Sequence, residues 1–276
     1  MGIELRGDRA VFRIAGPDAT HLLHDVVTTT VKEDEGDARW FALLAPQGKI
    51  LAEGLIGWAD GAYWLDVHES VAETFFKRMK MYRLRAKLEI ENLAESHAVG
   101  WSAEPVAGAI CHRDSRAEGL GYRVIAPRAE ALDWAAGQGQ ALARIAAGVL
   151  ELGPDFPAED AFPHDIGMDH LGGVDFKKGC FVGQEVVSRM QHRGTARRRP
   201  VLVAGVTQGA AGDSLTIEGR AVGTIGAPLE GRAVAIVRID KLRPDGVATL
   251  GEAPVNLALP SWARYGFAES AGAADA

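Results

Sequence analysis

Cys180 lies in the run FKKGCFVGQEVVSR, residues 176–189, among the residue types that can make a thiol reactive. Lys177 and Lys178 precede it, Gly179 and Gly183 flank it at turn spacing, and a helical pattern begins at Gln184. Nearby positive charge and a helix N-terminus both favour the thiolate, the form that attacks electrophiles and ligates metals. Residues 175–199 hold seven Lys or Arg against two acids, in a chain whose formal net charge is −7. The competing account is a packed cysteine. Free cysteine is among the most buried residue types, and glycines often serve packing alone. On local chemistry both accounts stay open.

Other chemistries are thinly represented. One cysteine cannot hold an iron–sulfur cluster or a structural zinc, which take about four ligands. Cys111 stands 69 positions from Cys180 and makes no C-x-x-C pair with it, so neither a metal site nor a disulfide framework is expected. His164 and His170 beside Asp165 and Asp169 read as polar turn residues. No P-loop, G-x-S-x-G, H-E-x-x-H or G-x-G-x-x-G run occurs. A second basic cluster, Lys77 to Lys87, has six Lys or Arg and no acid. It could meet a polyanion or form one solvated face, but aromatic residues are sparse in it and base stacking is not expected. With the acidic net charge, nucleic acid is not an expected partner. No apolar run approaches the roughly 18 residues of a membrane helix, and the start lacks a signal peptide's build, so no membrane partner and a cytoplasmic address are expected.

These residues need elements to position them. A strand is expected within Ile3 to Ile14, then a helix over Ala19 to Val26 with Asp18 as N-cap. Arg39 to Leu44 reads as a strand, and Ile50 to Trp58 with Tyr63 to Val67 as a hairpin across Ala59-Asp60-Gly61. Val71 to Met81 has helical spacing, and Tyr82 to Ile90 alternates like a strand. Strands are expected at Ala98 to Trp101 and Gly119 to Val124, and helices at Ala129 to Trp134, Gln140 to Ala147 and Gln184 to His192. Gly148 to Gly173 is rich in Pro, Gly and Asp without periodicity, which in a compact domain points to function. From Pro200, five short strand-like runs separated by glycine turns read as an all-β module. The fold class is α+β with a C-terminal β-domain.

The run Lys178-Gly179-Cys180-Phe181-Val182-Gly183-Gln184-Glu185 resembles the K-G-C-[FY]-x-G-Q-E signature of the YgfZ family of folate-binding proteins, relatives of the glycine cleavage T-protein (aminomethyltransferase). Arg189 and Arg193-Gly194 fit its continuation, Gln47-Gly48-Lys49 its Q/K-G-K turn, and Tyr82 to Lys87 its Y-x-L-R-[SA]-K run. Gly16 to Ala19, with Leu23 and Val27-Thr28, resembles its opening.

The resemblance implies an aminomethyltransferase-like folate-binding fold with a central hole and a C-terminal β-barrel. Residues 1–48 and 100–197 would form the folate-binding domain carrying the cysteine motif, and 49–99 an inserted small antiparallel sheet with a helix. Residues 198–267 would form the barrel and 268–276 a disordered tail. It implies tetrahydrofolate or a one-carbon derivative as cofactor, and iron–sulfur proteins or their assembly factors as partners. Cys180 would be the functional thiol, with Lys49, Glu53, Arg83, Lys178, Gln184, Glu185 and Arg189 around the folate. The function implied is assembly or repair of iron–sulfur proteins; the alternative is a folate-dependent aminomethyl transferase. Against that alternative, Ala52-Glu53 stands where the T-protein's G-G-x-x-D-D run places its aspartates. Glu53 keeps a carboxylate, but on an arm one methylene longer.

Overall fold

The computed structural model describes residues 2–242 and 247–267; the expected tail, 268–276, lies outside them. The chain opens with β1 (Glu4–Leu5) and β2 (Arg9–Ala15). Then come α1 (Ala19–Val26), β3 (Asp37–Leu44), β4 (Ile50–Ala59) and β5 (Ala62–His68). Next are α2 (Glu69–Arg83), β6 (Glu89–Asn92), β7 (His97–Ser102), β8 (Ile110–Asp114) and β9 (Tyr122–Pro127). Two further helices, α3 (Gly139–Ala147) and α4 (Gln184–Arg193), precede the barrel strands.

Nine strands form one sheet in the order β1-β7-β9-β8-β3-β4-β5-β2-β6. β3 is its hinge: it pairs antiparallel with β4 on one side and parallel with β8 on the other. The expected separate sheet within 49–99 is therefore not present as such, because β4, β5 and β6 share this sheet with β2 and β3. The β4–β5 turn follows from its residues. Asp60 and Gly61 both take positive φ, 50° and 70°, as a two-residue hairpin turn requires.

Each helix buries the stripe its spacing dictates. Ala19, Leu22, Leu23 and Val26 of α1 are buried, as are Val71, Phe75 and Met79 of α2. Phe75 meets Phe12 of β2 edge-on, with ring centroids 5.0 Å apart. Asp18 does not cap α1 with its side chain; its Oδ2 accepts from the backbone N–H of Lys87 at 2.6 Å.

Two expected elements differ. Tyr82 to Ile90 is not a strand: α2 runs on to Arg83, and β6 begins only at Glu89. The alternation there does not report one buried face, since Leu84 is 86% exposed while Leu88 and Ile90 are buried. Ala129 to Trp134 yields only a 3-10 turn, Arg128–Glu130. Leu132 there is exposed, so no apolar stripe draws a helix onto the core.

The aperiodic stretch after α3 is structural. Val149, Leu150, Leu152, Phe156, Ala161, Ile166 and Met168 are all buried within it. The barrel is closed by β10 (Arg198–Ala204), β11 (Ser214–Ile217), β12 (Arg220–Ile225), β13 (Arg232–Arg238), β14 (Ala248–Leu250) and β15 (Ala253–Ala258). Their order is β10-β13-β12-β11-β14-β15, which leaves no free edge. β15 is not among the expected strands: Pro254 reads as a strand breaker, although Val255 faces in between the exposed Pro254 and Asn256 as a strand's alternation requires.

Candidate functional site

The loop 175–183 carries Cys180 and is held at several points. The Thr28 N–H donates to the Ala42 carbonyl, the Thr28 carbonyl accepts from the Asp175 N–H, and its hydroxyl donates to the Gly173 carbonyl at 2.6 Å. Asp175 accepts from the Thr30 hydroxyl at 2.5 Å and from the backbone N–H groups of Lys177 and Lys178 at 2.8 and 3.2 Å. Burial alone would raise the Asp175 carboxyl; these donors outweigh it and hold it below the ordinary range.

Lys178 turns inward. Its ammonium donates to the carbonyls of His24 (2.5 Å), Val27 and Thr29 (3.1 Å) at the end of α1. Burial draws its pKa down to about 8, against the nearby Asp175 and Asp25. Phe181 is buried on the other side of the cysteine, and the Lys178 ammonium lies 5.1 Å from its ring centroid. Cys180 is thus an exposed thiol between two anchored side chains. Cys111, by contrast, is half-buried, and its Sγ accepts from the Val106 N–H at 3.3 Å.

Gly183 opens α4 at φ 79°, and a Cβ there would stand 2.6 Å from the Ala45 carbonyl oxygen. Only glycine permits that approach, which seats the Pro46-Gln47-Gly48 turn against the start of α4. The structure therefore brings the Gly48 turn and the cysteine loop together. Lys49 donates to the Asp160 carbonyl at 2.6 Å and lies over the Phe162 ring. Gln184, Glu185 and Arg189 lie on α4, Arg83 ends α2, and Lys178 is spent on carbonyls.

Glu53 is fully buried. Its Oε2 accepts from Trp40 Nε1 at 2.5 Å and its Oε1 from the Leu152 N–H at 2.9 Å. Burial pushes its carboxyl up, against the pull of Arg9 and with the push of Glu151. Near it lies an ion network where the sheet, α3 and the barrel meet. Arg6 donates to Glu151 at 2.9 Å, Arg9 to Asp66 at 2.5 Å, Arg116 to Asp114 at 2.7 Å, and Arg144 to Asp155. Burial acts to raise Glu151, but Arg6, Arg9, Arg144 and Arg116 together hold its carboxyl well below the ordinary range. Asp155 also accepts from the Ala227 N–H at 3.1 Å, and a Cβ on Gly226 would lie 2.3 Å from its Oδ1.

A cavity of about 320 Å³ opens onto this network between β1, α3 and the barrel loop. Arg6, Gln138, Gln140, Arg144 and Glu151 line it. Arg6 Nη1, Arg144 Nε and Glu151 Oε1 are buried there without a hydrogen-bond partner. Sequence reasoning missed these residues; Arg6 and Glu151 are 145 positions apart, and neither belongs to a local motif. A larger cavity of about 780 Å³, around Trp58, His97, Cys111 and His112, contains none of the expected site residues.

Residues 197–265 match the family model described as CAF17, C-terminal beta-barrel domain. The chain is similar to two proteins named iron–sulfur cluster assembly factor IBA57 homolog, mitochondrial. The Pyricularia oryzae protein is 33% identical over 210 residues, covering 69% of this chain and 54% of the relative. The Mycosarcoma maydis protein is 31% identical over 219 residues, covering 70% and 54%. The chain spans about half the length of these relatives. Their mitochondrial names overturn the expectation of a cytoplasmic address. The fold resembles that of glycine cleavage system aminomethyltransferase T from Bartonella henselae, with a TM-score of 0.72, 17% identity, and coverage of 96% of this chain and 87% of that one. The α+β, aminomethyltransferase-like fold with a C-terminal β-barrel is as the sequence resemblance implied.

Proposed function

We propose that this chain supports the assembly or repair of iron–sulfur proteins through the thiol of Cys180. One observation carries the reading: Cys180 is exposed on a loop whose neighbours Lys178 and Phe181 are anchored inside. An anchored loop presents the sulfur at a fixed place while leaving it open to a partner. The similarity to proteins named as iron–sulfur cluster assembly factors supports the same reading. One thiolate supplies one iron ligand of the roughly four a cluster needs, so the remaining ligands come from the protein receiving or giving the cluster. On ligation the thiol loses its proton to solvent and its sulfur donates an electron pair to iron.

Tetrahydrofolate is proposed as a ligand of the cavity between β1, α3 and the barrel. Arg6, Gln138 and Gln140 on its wall offer hydrogen-bonding groups to a polar heterocycle, and Arg6 Nη1 has no hydrogen-bond partner of its own. When bound, this cofactor supplies a carrier for one-carbon units; the chain's residues bind and orient its ring. The aminomethyl transferase alternative needs a carboxylate within reach of the folate. Glu53, enclosed by Trp40 and Leu152, does not supply it.

Calorimetry with tetrahydrofolate tests the ligand. The expected result is saturable binding with Kd of about 1 mM or tighter, equivalent to roughly 4 kcal/mol or more. Gln140→Leu, which changes the cavity wall outside the ion network, should weaken it. Absence of saturable binding would remove folate from the account and leave the thiol reading standing.

A further inference from the structure

The basic cluster 77–87 remains unused by the site above. Its six Lys or Arg sit at the end of α2 and in the turn beyond it, in a chain of net charge −7. Lys77, Lys80, Arg83, Arg85 and Lys87 are exposed. Among the described residues only Lys77 of the six is ion-paired, with Glu73 at 2.5 Å.

Two apolar side chains stand among these cations. Met81 is 56% exposed and Leu84 is 86% exposed, and they are two of only four large apolar residues so exposed among the described residues. Leu84 also adopts φ 43° and ψ −107° at the C-cap of α2. Positive φ is costly for a bulky residue, and glycine is the usual solution at a helix end. The fold gains no burial from this leucine, yet holds it in a strained conformation with its side chain in water. Such strain is retained where a side chain serves a surface.

The patch and the cysteine loop lie at opposite ends of α1. Asp18, before its first turn, bonds the backbone of Lys87 at 2.6 Å, and Lys178 bonds His24 near its last turn at 2.5 Å. Eight helical residues span about 12 Å. A single small domain could cover both ends.

We propose that this patch docks an acidic polypeptide segment that places an apolar side chain on Met81 and Leu84 between carboxylates paired with Arg83, Arg85 and Lys87. Charge complementarity selects an acidic partner. The exposed apolar centre selects a polypeptide over nucleic acid, whose phosphates gain nothing from Leu84, and two side chains are too few for a membrane anchor. Docking rests on the patch alone; that it brings a partner to Cys180 rests on the thiol function proposed above.

The test is fluorescence anisotropy with a labelled peptide of Glu-Glu-Leu-Glu repeats, with an oligouridylate and phosphatidylglycerol vesicles as competing probes. The peptide should bind the intact chain, and the double variant Arg83→Glu, Arg85→Glu should weaken it by about tenfold or more. Leu84→Ser should weaken it at unchanged charge. Leu84→Gly should raise the thermal midpoint while weakening the peptide, a combination that a purely structural Leu84 cannot give. Equal peptide affinity across these variants would overturn the proposal, as would tighter patch-dependent binding of the RNA or the vesicles. Cys180 takes no part in this assay, so its outcome is separable from failure of the thiol reading.

Discussion

Lys178 and Cys180 are two positions apart and face opposite media: the ammonium is enclosed by three backbone carbonyls, while the thiol is in solvent. The lysine of the motif is thus an anchor. The positive charge near the cysteine along the sequence is not, for this residue, charge presented to the sulfur. What the loop secures is the sulfur's position.

That anchor has a pH signature. The folded Lys178 value, about 8, lies below the ordinary 10.5. Between those values the unfolded chain holds a proton that the folded chain has released, so the Lys178 contribution to stability rises with pH across that window. Below about pH 8 both forms are charged and the contribution is flat. Urea midpoints taken from pH 7 to pH 10 should climb more in the native chain than in Lys178→Met. Parallel curves would show that burial does not perturb this ammonium.

The two cysteines should label unequally. Cys180 is exposed, whereas Cys111 is half-buried with its sulfur bonded to Val106. Limiting iodoacetamide on native protein should modify Cys180 first, and peptide mass spectrometry reads the order. Faster labelling of Cys111 would mean that the loop packs its cysteine.

Glu53 should matter to folding and not to one-carbon chemistry. Glu53→Ala leaves the buried Trp40 Nε1–H and Leu152 N–H without their acceptor and should cost about 1–3 kcal/mol for each in denaturant unfolding. Native protein should release no ammonia from an aminomethylated lipoyl carrier in the presence of tetrahydrofolate. Turnover comparable to a glycine cleavage T-protein would return Glu53 to a catalytic role.

Gly226 marks the join between barrel and sheet domain. Its missing Cβ admits Asp155, which bonds both Ala227 and Arg144. Gly226→Ala should lower stability by about 1–3 kcal/mol through overpacking at that contact. An unchanged thermal midpoint would show that the barrel gives way there without cost.

Local signals in the sequence were enough for α1, the hairpin through Asp60-Gly61, α3 and α4, because each has a period or a turn residue with one structural meaning. The exposed Cys180 on its turn was legible from the motif, whereas the inward anchoring of Lys178 was not. The strand expected at Tyr82 to Ile90 failed because an alternation of apolar and basic residues was met by a helix end and a turn, with Leu84 outside the core. The ion network was invisible for a different reason. Arg6, Asp66, Asp114, Arg144 and Glu151 come from separate elements, and only tertiary structure gathers them. The same holds for the cavity beside them, whose lining residues belong to no shared motif.

The thiol is the central claim, and complementation tests it most directly. Cells lacking the gene should lose activity of iron–sulfur enzymes and regain it with the native chain. Cys180→Ala alters an exposed side chain, so the variant should accumulate with an unchanged thermal midpoint and yet fail to restore those activities. Full restoration by Cys180→Ala at native protein levels would contradict the account.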